Sequence, residues 1–449
     1  MQRFQRARSG TLCIVAAAAL LCVHQSVSTS STSAADLFVL PPQPLERESL
    51  RSASVDSTAA STANLAKNIV GAGVLSLPAG AGKVLDAASS SGVGTHETNV
   101  SALLCLYVVF GILNAYGFYL IGEVCERTGA RTYQEAWTRT LGSQFAWMPS
   151  VASVICSFTG MVACVAVIGD TASQLLTSMG QDFVHKDMLL GGISSLVLFP
   201  LCLMPSLSPL AFASVLGLIG VTVLSFVMVL RWFDGSYELG GSFYSDAKTT
   251  LDLLTKSQAP AQSDNMLFQQ LCIFAAILSN AFSAHFNAPT IFNELEPQPD
   301  ARGNTSRLPQ LATVTTSAFA LSGLIFWVIT MAGFETFGAH ADASVLNSYS
   351  AADPLVAVAR AGLGLCVLFE FPLLERCFRQ TAVEVLGIPK QIEQNALAVA
   401  TSVGLSVALA FLPGFGLDKT SALGGALGAS LLIYIAPALM VLNLRPAKA

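Results

Sequence analysis

Long apolar runs separated by short polar stretches dominate the chain between residues 63 and 442. Ten of them are long and apolar enough to cross a bilayer, over 63–88, 98–124, 147–179, 187–204, 209–232, 267–291, 309–334, 352–376, 396–412 and 418–442. Inside lipid every backbone N–H and C=O must be paired within its own segment or barrel. No alternating pattern of about ten residues, the mark of a barrel strand, occurs in these runs. The expected fold is therefore all-α, a polytopic membrane protein with ten transmembrane helices over these runs.

The region upstream reads differently. Residues 1–35 carry Arg3, Arg6 and Arg8, then an apolar run from Leu12 to Val23, then a Ser/Thr-rich stretch with no acidic residue before Asp36. About a dozen apolar residues fall short of the roughly 20 that a span needs. The pattern predicts a targeting or signal-like segment, with an uncleaved tail as the alternative. Residues 36–62 read as a flexible linker, 63–442 as the transmembrane domain and 443–449 as a C-terminal tail.

Composition agrees and narrows the class. Of 449 residues, 53% are apolar and 11% charged; soluble domains carry about 25% charge. Too little polar surface remains to cover a water-soluble protein of this size, so the expected surroundings are a lipid bilayer. A net charge of −5 leaves nothing basic to neutralise phosphates, which excludes nucleic acid as a partner. Ten cysteines, none spaced as CxxC and most inside apolar runs, read as small buried hydrophobes, not as disulfides or metal ligands. No HExxH, GxSxG or clustered His/Asp set suggests an enzyme, and no metal or organic cofactor is expected.

Loop charges orient the helices. The loops 125–146, 292–308 and 376–395, with the C-terminal tail, hold Arg127, Arg131, Arg139, Arg302, Arg307, Arg376, Arg379, Lys390, Arg445 and Lys448. The opposite loops hold only Lys83, Lys186, Arg231, Lys248, Lys256 and Lys419. The positive-inside rule makes the first set cytoplasmic.

Two spans carry their own interruptions. In span 1, Gly71, Gly73 and Pro78 lie mid-segment with Asn68 one turn earlier, so the helix is expected to unwind there. Span 6 carries Asn280, Ser283, His285, Asn287 and Pro289 within its apolar frame. Breaks at the first and sixth of ten spans are what two inverted five-helix repeats give. In such transporters the freed N–H groups bind an anionic substrate group and the freed carbonyls a cation. Close packing of small residues is the plainer reading of Gly71 and Gly73, and an interior hydrogen bond is that of His285. Among the carboxylates, Glu123 and Asp170 lie near span ends, where water reaches them. Glu370 lies deeper, between Phe369 and Phe371, and is the candidate proton-coupling group, with a static salt bridge to another helix as the alternative.

At these residues the chain resembles the amino acid/auxin permease family, which includes vacuolar and sodium-coupled neutral amino acid transporters. The stretch Asn68-Ile-Val-Gly-Ala-Gly-Val-Leu-Ser-Leu-Pro78 is similar to the family's first-helix signature. Cys125-Glu-Arg-Thr-Gly-Ala-Arg-Thr-Tyr-Gln-Glu is similar to the cytoplasmic stretch after its second helix. Gly169-Asp170 is similar to the end of its third helix, and His285 through Leu295 resembles its sixth. The resemblance implies a LeuT-type 5+5 inverted repeat with helices 1 and 6 broken, and secondary transport of small amino acids by alternating access. It implies a cation-site role for Asn68, and contact of Gly71, Ala72, Gly73 and Val74 with the substrate's charged ends. Ser283, His285 and Asn287 would join them from the second break. Residues 364–372 hold no Ser or Thr, where sodium-coupled members use a hydroxyl, so a proton is the expected coupling ion and Na+ the alternative. A sensor that binds amino acid without net flux is the alternative from another class. The expected location is the plasma membrane or a vacuolar-type endomembrane, with a plastid envelope as a further option.

Overall fold

A computed structural model describes residues 47–181, 185–204, 210–244, 265–299, 305–389, 395–412 and 416–444. The expected targeting segment over 1–35 lies outside the described residues. The chain is a bundle of helices, with one two-stranded hairpin in which Gln298 pairs with Ser306 and Pro299 with Thr305. Helix α1 covers Arg47–Ile69, so helix occupies the later part of the stretch read as a linker. Residues 47–62, past the prolines at 41, 42 and 44, have neither Gly nor Pro to stop a helix. Gln310 Nε2 ties it to the bundle by donating to Thr58 Oγ1 at 3.1 Å.

After α1 the backbone leaves the helix at Val70–Gly71, makes a 3-10 turn over Ala72–Ser76, and resumes as α2, Leu77–Ser90. The two halves are bent by 51°. Pro78 sits in the first turn of α2, where its missing N–H has no intrahelical acceptor to lose. The rest of the bundle comprises α3 (His96–Thr128), the short α4 (Tyr133–Leu141) and α5 (Trp147–Ser178). Next come α6 (Lys186–Ile193), α7 (Phe199–Cys202) and α8 (Leu210–Asp234). Helices α9 (Met266–Ala281) and α10 (Ala288–Glu294) flank the second break. Then follow α11 (Leu308–Phe337), α12 (Pro354–Val385), α13 (Ala396–Ala410), α14 (Leu417–Leu423) and α15 (Ala436–Leu442).

Among the described residues, seven spans are long and apolar enough to cross a bilayer, and the bent α1–α2 pair makes an eighth. The other two expected spans are shorter. The 187–204 run is helical only from Lys186 to Cys202, passing from α6 to α7 through a π-turn at Ser194–Leu198, as α14 passes to α15 through π-turns in the counted span Leu417–Leu442. Helix α13 has 15 residues, about 22 Å of rise against a hydrocarbon core of about 30 Å.

Small residues let the helices close up. Helix α12 packs against α5 and α8, and where α8 meets α12 a Cβ on Gly220 would lie 2.5 Å from the Gly362 carbonyl. Pro372 lies inside α12. It cannot donate to the Leu368 carbonyl, which leaves a backbone acceptor open beside Glu370. All eight cysteines among the described residues are free.

Candidate functional site

The two breaks meet in the middle of the bundle. A Cβ on Gly73 would lie 3.6 Å from Ala281 Cα. One turn away, Asn287 Nδ2 donates to Asn68 Oδ1 at 3.3 Å, while Asn68 Nδ2 donates back to the Asn64 carbonyl at 2.9 Å. Between the breaks lies a cavity of about 80 Å³, room for a few waters. Gly71, Ala72 and Gly73 form one wall, Asn280 and Ser283 another, and Gly160 and Cys164 of α5 a third. Glu370 enters from α12.

This cavity communicates with a vestibule of about 910 Å³, within the size range of small-molecule sites. Asn68, Phe286, Glu370 and Leu374 line both spaces and so stand at their junction. The vestibule continues past Arg131 and Gln134 to Gln380 and Glu384, on the side of the Arg-rich loops.

Glu370 has an unusual seat. A Cβ on Gly71 would fall 2.3 Å from its Oε1 and 2.9 Å from its Cδ, so only glycine admits this carboxylate against the unwound strand. The Ala72 N–H faces the same carboxylate, and Lys67 supplies the opposing charge. Oε2 is sealed from solvent and accepts no hydrogen bond among the described residues.

The remaining expected site residues fall elsewhere. Asn287 lines the vestibule and not the central cavity. Val74 is packed in the apolar core and lines neither space. His285 is fully buried, with Nε2 2.9 Å from the Asn114 carbonyl of α3 and its ring edge-on to Phe118 and Phe319. It pins the second break to α3 and lines neither space. Lys67, not singled out in the sequence, is buried in α1 and reaches the vestibule wall. A lysine inside an apolar span, one residue before Asn68, was the available signal.

The opposite side of the bundle is tied shut. Lys83 of α2 pairs with Asp418 of α14 at 3.0 Å. Asp170 pairs with Lys186 and accepts from Asn347 Nδ2 at 2.9 Å, so this carboxylate is paired as well as partly solvated. Arg231 makes two hydrogen bonds to Asp353, at 2.7 and 2.6 Å, and Tyr237 adds a third at 3.0 Å. Arg360, fully buried, donates to the carbonyls of Leu346, Tyr349 and Ser350 and so holds the loop before α12. In that loop burial pushes the Asp342 carboxyl above the usual range. Asp170 nearby adds to the rise, and a hydrogen bond from the Ser344 N–H opposes it. On the vestibule side, Glu123 pairs with Arg127. Glu375 pairs with Arg379 one turn further along α12 at 3.2 Å and accepts from Ser402 of α13 at 2.7 Å.

Residues 54–449 match the family described as transmembrane amino acid transporter protein. The chain belongs to this family. The transmembrane amino acid transporter family is a transporter family and not an enzyme family, and the chain is a multi-pass membrane protein. Sodium-coupled neutral amino acid transporter 7 of Rattus norvegicus is 24% identical over 402 residues, covering 83% of this chain and 76% of that one. Vacuolar amino acid transporter 2 of Saccharomyces cerevisiae is 23% identical over 392 residues, covering 83% and 74%. A solved structure, the manganese transporter of Eremococcus coleocola, aligns with a TM-score of 0.45 and 13% identity, covering 92% of this chain and 82% of that one. A likeness at that distance fixes no arrangement of helices.

Proposed function

We propose that the chain is a secondary active transporter that moves amino acids by alternating access, with a proton as the coupling ion and Glu370 as its carrier. The observation that carries this reading is the position of Glu370. It is a carboxylate at the junction of a wide vestibule and a small central cavity, set against the first helix break. A group in that place exchanges its surroundings whenever the bundle changes the side to which it opens, and a change of surroundings is what loads and unloads a proton. The facing breaks support an inverted pair of five-helix repeats with the substrate between them. The open vestibule on the Arg-rich side, with ion pairs across the far side, supports a cytoplasm-facing state. The yeast relative's name supports a vacuolar membrane, and the plasma membrane is the other location we propose.

Sodium coupling is the second reading, favoured by the rat relative's name. Against it, Asn68 already has both side-chain polar atoms in hydrogen bonds, and α12 offers no hydroxyl over 364–372. Labelled amino acid uptake into proteoliposomes, with pH and sodium gradients imposed separately, distinguishes the two. Accumulation that follows the pH gradient at constant sodium is expected, with Glu370→Gln retaining exchange of labelled for unlabelled substrate but losing accumulation. Accumulation that follows only sodium removes the proton from the mechanism. Binding without any flux makes the chain a sensor.

A further inference from the structure

The unwound segment of the first span presents three backbone donors. The N–H groups of Gly71, Ala72 and Gly73 find no backbone acceptor among the described residues. Donors of this kind, at a helix break in the middle of a membrane, suit a carboxylate. A carboxylate is already there, and it belongs to the protein. Glu370 lies where any side chain at position 71 would have to go, with the Ala72 N–H facing it. The groups around it are Lys67 from α1, Cys164 from α5, and Cys366 one turn earlier on α12.

We propose that Glu370 is a built-in competitor, whose carboxylate occupies the seat that the α-carboxylate of an amino acid takes on the Gly71–Gly73 donors, so that substrate binds only by displacing it. This rests on the reading of the central cavity as the amino acid site. Three observations carry it beyond that reading. The seat has no side chain of its own, because Gly71 leaves the space that Glu370 Oε1 fills. The cavity left beside Glu370, about 80 Å³, is cramped while the glutamate is in it, and swinging the side chain toward the vestibule enlarges it. The exit is built, since Glu370 and Lys67 both line the vestibule, so the glutamate can swing outward and keep its opposing charge. Pro372 frees the Leu368 carbonyl and removes one hydrogen bond from α12 beside the pivot.

The opposite assignment, Glu370 as counter-ion to the substrate's ammonium, predicts the opposite sign in one measurement. Purified wild-type protein is titrated with the standard amino acids one at a time at neutral pH, with thermal stabilisation followed by intrinsic fluorescence. The tightest binder is then titrated against Glu370→Gln and Glu370→Asp. Removing the competing charge is expected to tighten binding about tenfold in Glu370→Gln, the scale of one charge-assisted hydrogen bond surrendered. Glu370→Asp keeps the charge but retracts it by one methylene from the Ala72 N–H, and is expected to tighten binding by a similar factor. Weaker binding in Glu370→Gln makes the residue an ammonium counter-ion and overturns the proposal, and unchanged binding overturns it as well. Tightening in Glu370→Gln but not in Glu370→Asp reduces the effect to general charge repulsion and also overturns it. Failure of wild type to bind any amino acid sinks the amino acid site itself, an outcome separate from the other three.

Discussion

Asn287 donates to Asn68 across 3.3 Å and so ties the second helix break to the helix that leads into the first. The two residues come from segments 219 positions apart in the chain, and the bond lies at the inner edge of the site, next to the vestibule. Asn68→Ala and Asn287→Ala are each expected to slow uptake roughly fivefold, the scale of one neutral hydrogen bond. The double variant should be no slower than either single one, because both remove the same contact. Uptake rates that multiply in the double variant would show that the asparagines act separately.

The space at Gly71 and Gly73 is used on both sides. Gly71→Leu and Gly73→Leu are expected to abolish uptake while the proteins still insert and elute as a single species in detergent. Leucine at 71 would collide with the Glu370 carboxylate, and leucine at 73 would press on Ala281. Gly80→Ala supplies a contrast. The nearest atoms to its Cβ would be those of the Phe274 ring and the Ile277 side chain, and its cost should appear in thermal stability with uptake per folded molecule unchanged.

His285 is expected to behave as a packing residue. His285→Ala should lower the melting temperature and the yield of folded protein, because it empties a fully buried position and removes the bond to the Asn114 carbonyl. The apparent affinity of the surviving transporter for substrate should change less than twofold. A large rise in the half-saturation concentration with normal stability would return His285 to the binding site.

The ion pair between Lys83 and Asp418 is expected to help hold the far side closed. Asp418→Asn should raise labelling of Cys164, which lines the central cavity, by an impermeant thiol reagent added from that side. Mass spectrometry of the Cys164 peptide separates this signal from the exposed Cys105 and Cys272. Labelling equal to wild type would mean that the pair leaves the gate untouched.

Asp342 gives the far side a pH dependence with a defined sign. Its folded-state pKa is raised, chiefly by burial, so the folded protein binds its proton more tightly than the unfolded chain does. Its contribution favours folding at acid pH, present in full below the ordinary carboxylate value and lost as pH rises through the raised one. Asp342→Asn should remove this part of the pH dependence of the melting temperature. A wild-type melting temperature that climbs through that window, and climbs less in Asp342→Asn, would reverse the sign.

Much of this arrangement was legible in the residues. Gly71, Gly73 and Pro78 announced the first break because glycine and proline act on the backbone directly, whatever packs around them. Pro78 proved to start the second half-helix, an assignment that depends on where the turn before it closes. His285 and Val74 were harder, since a residue at a break can face the cavity or a neighbouring helix, and only the position of α3 and the core decides which. Lys67 was passed over because a lysine near a span end usually extends its amine to the headgroups, whereas here it stays in the bundle opposite Glu370. The short α13 and the helix that ends already at Cys202 show why ten apolar runs yield fewer full-length spans. Apolar patterning marks contact with lipid or core, but it does not measure how far a helix rises.

Phe286 and Leu374, the apolar pair where the central cavity meets the vestibule, bear on the order of events in a cycle. Two side chains change rotamer in nanoseconds, while whole helices rearrange in microseconds to milliseconds. In the alternating-access cycle proposed above, cargo leaving toward the vestibule would meet the fast barrier, and reopening of the ion-paired face would be the slow step. We expect the empty carrier, which has no bound cargo to help part those ion pairs, to be the slower of the two and to set turnover. Unlabelled substrate supplied on the vestibule side should speed the efflux of label from the opposite compartment, by letting the protein return loaded.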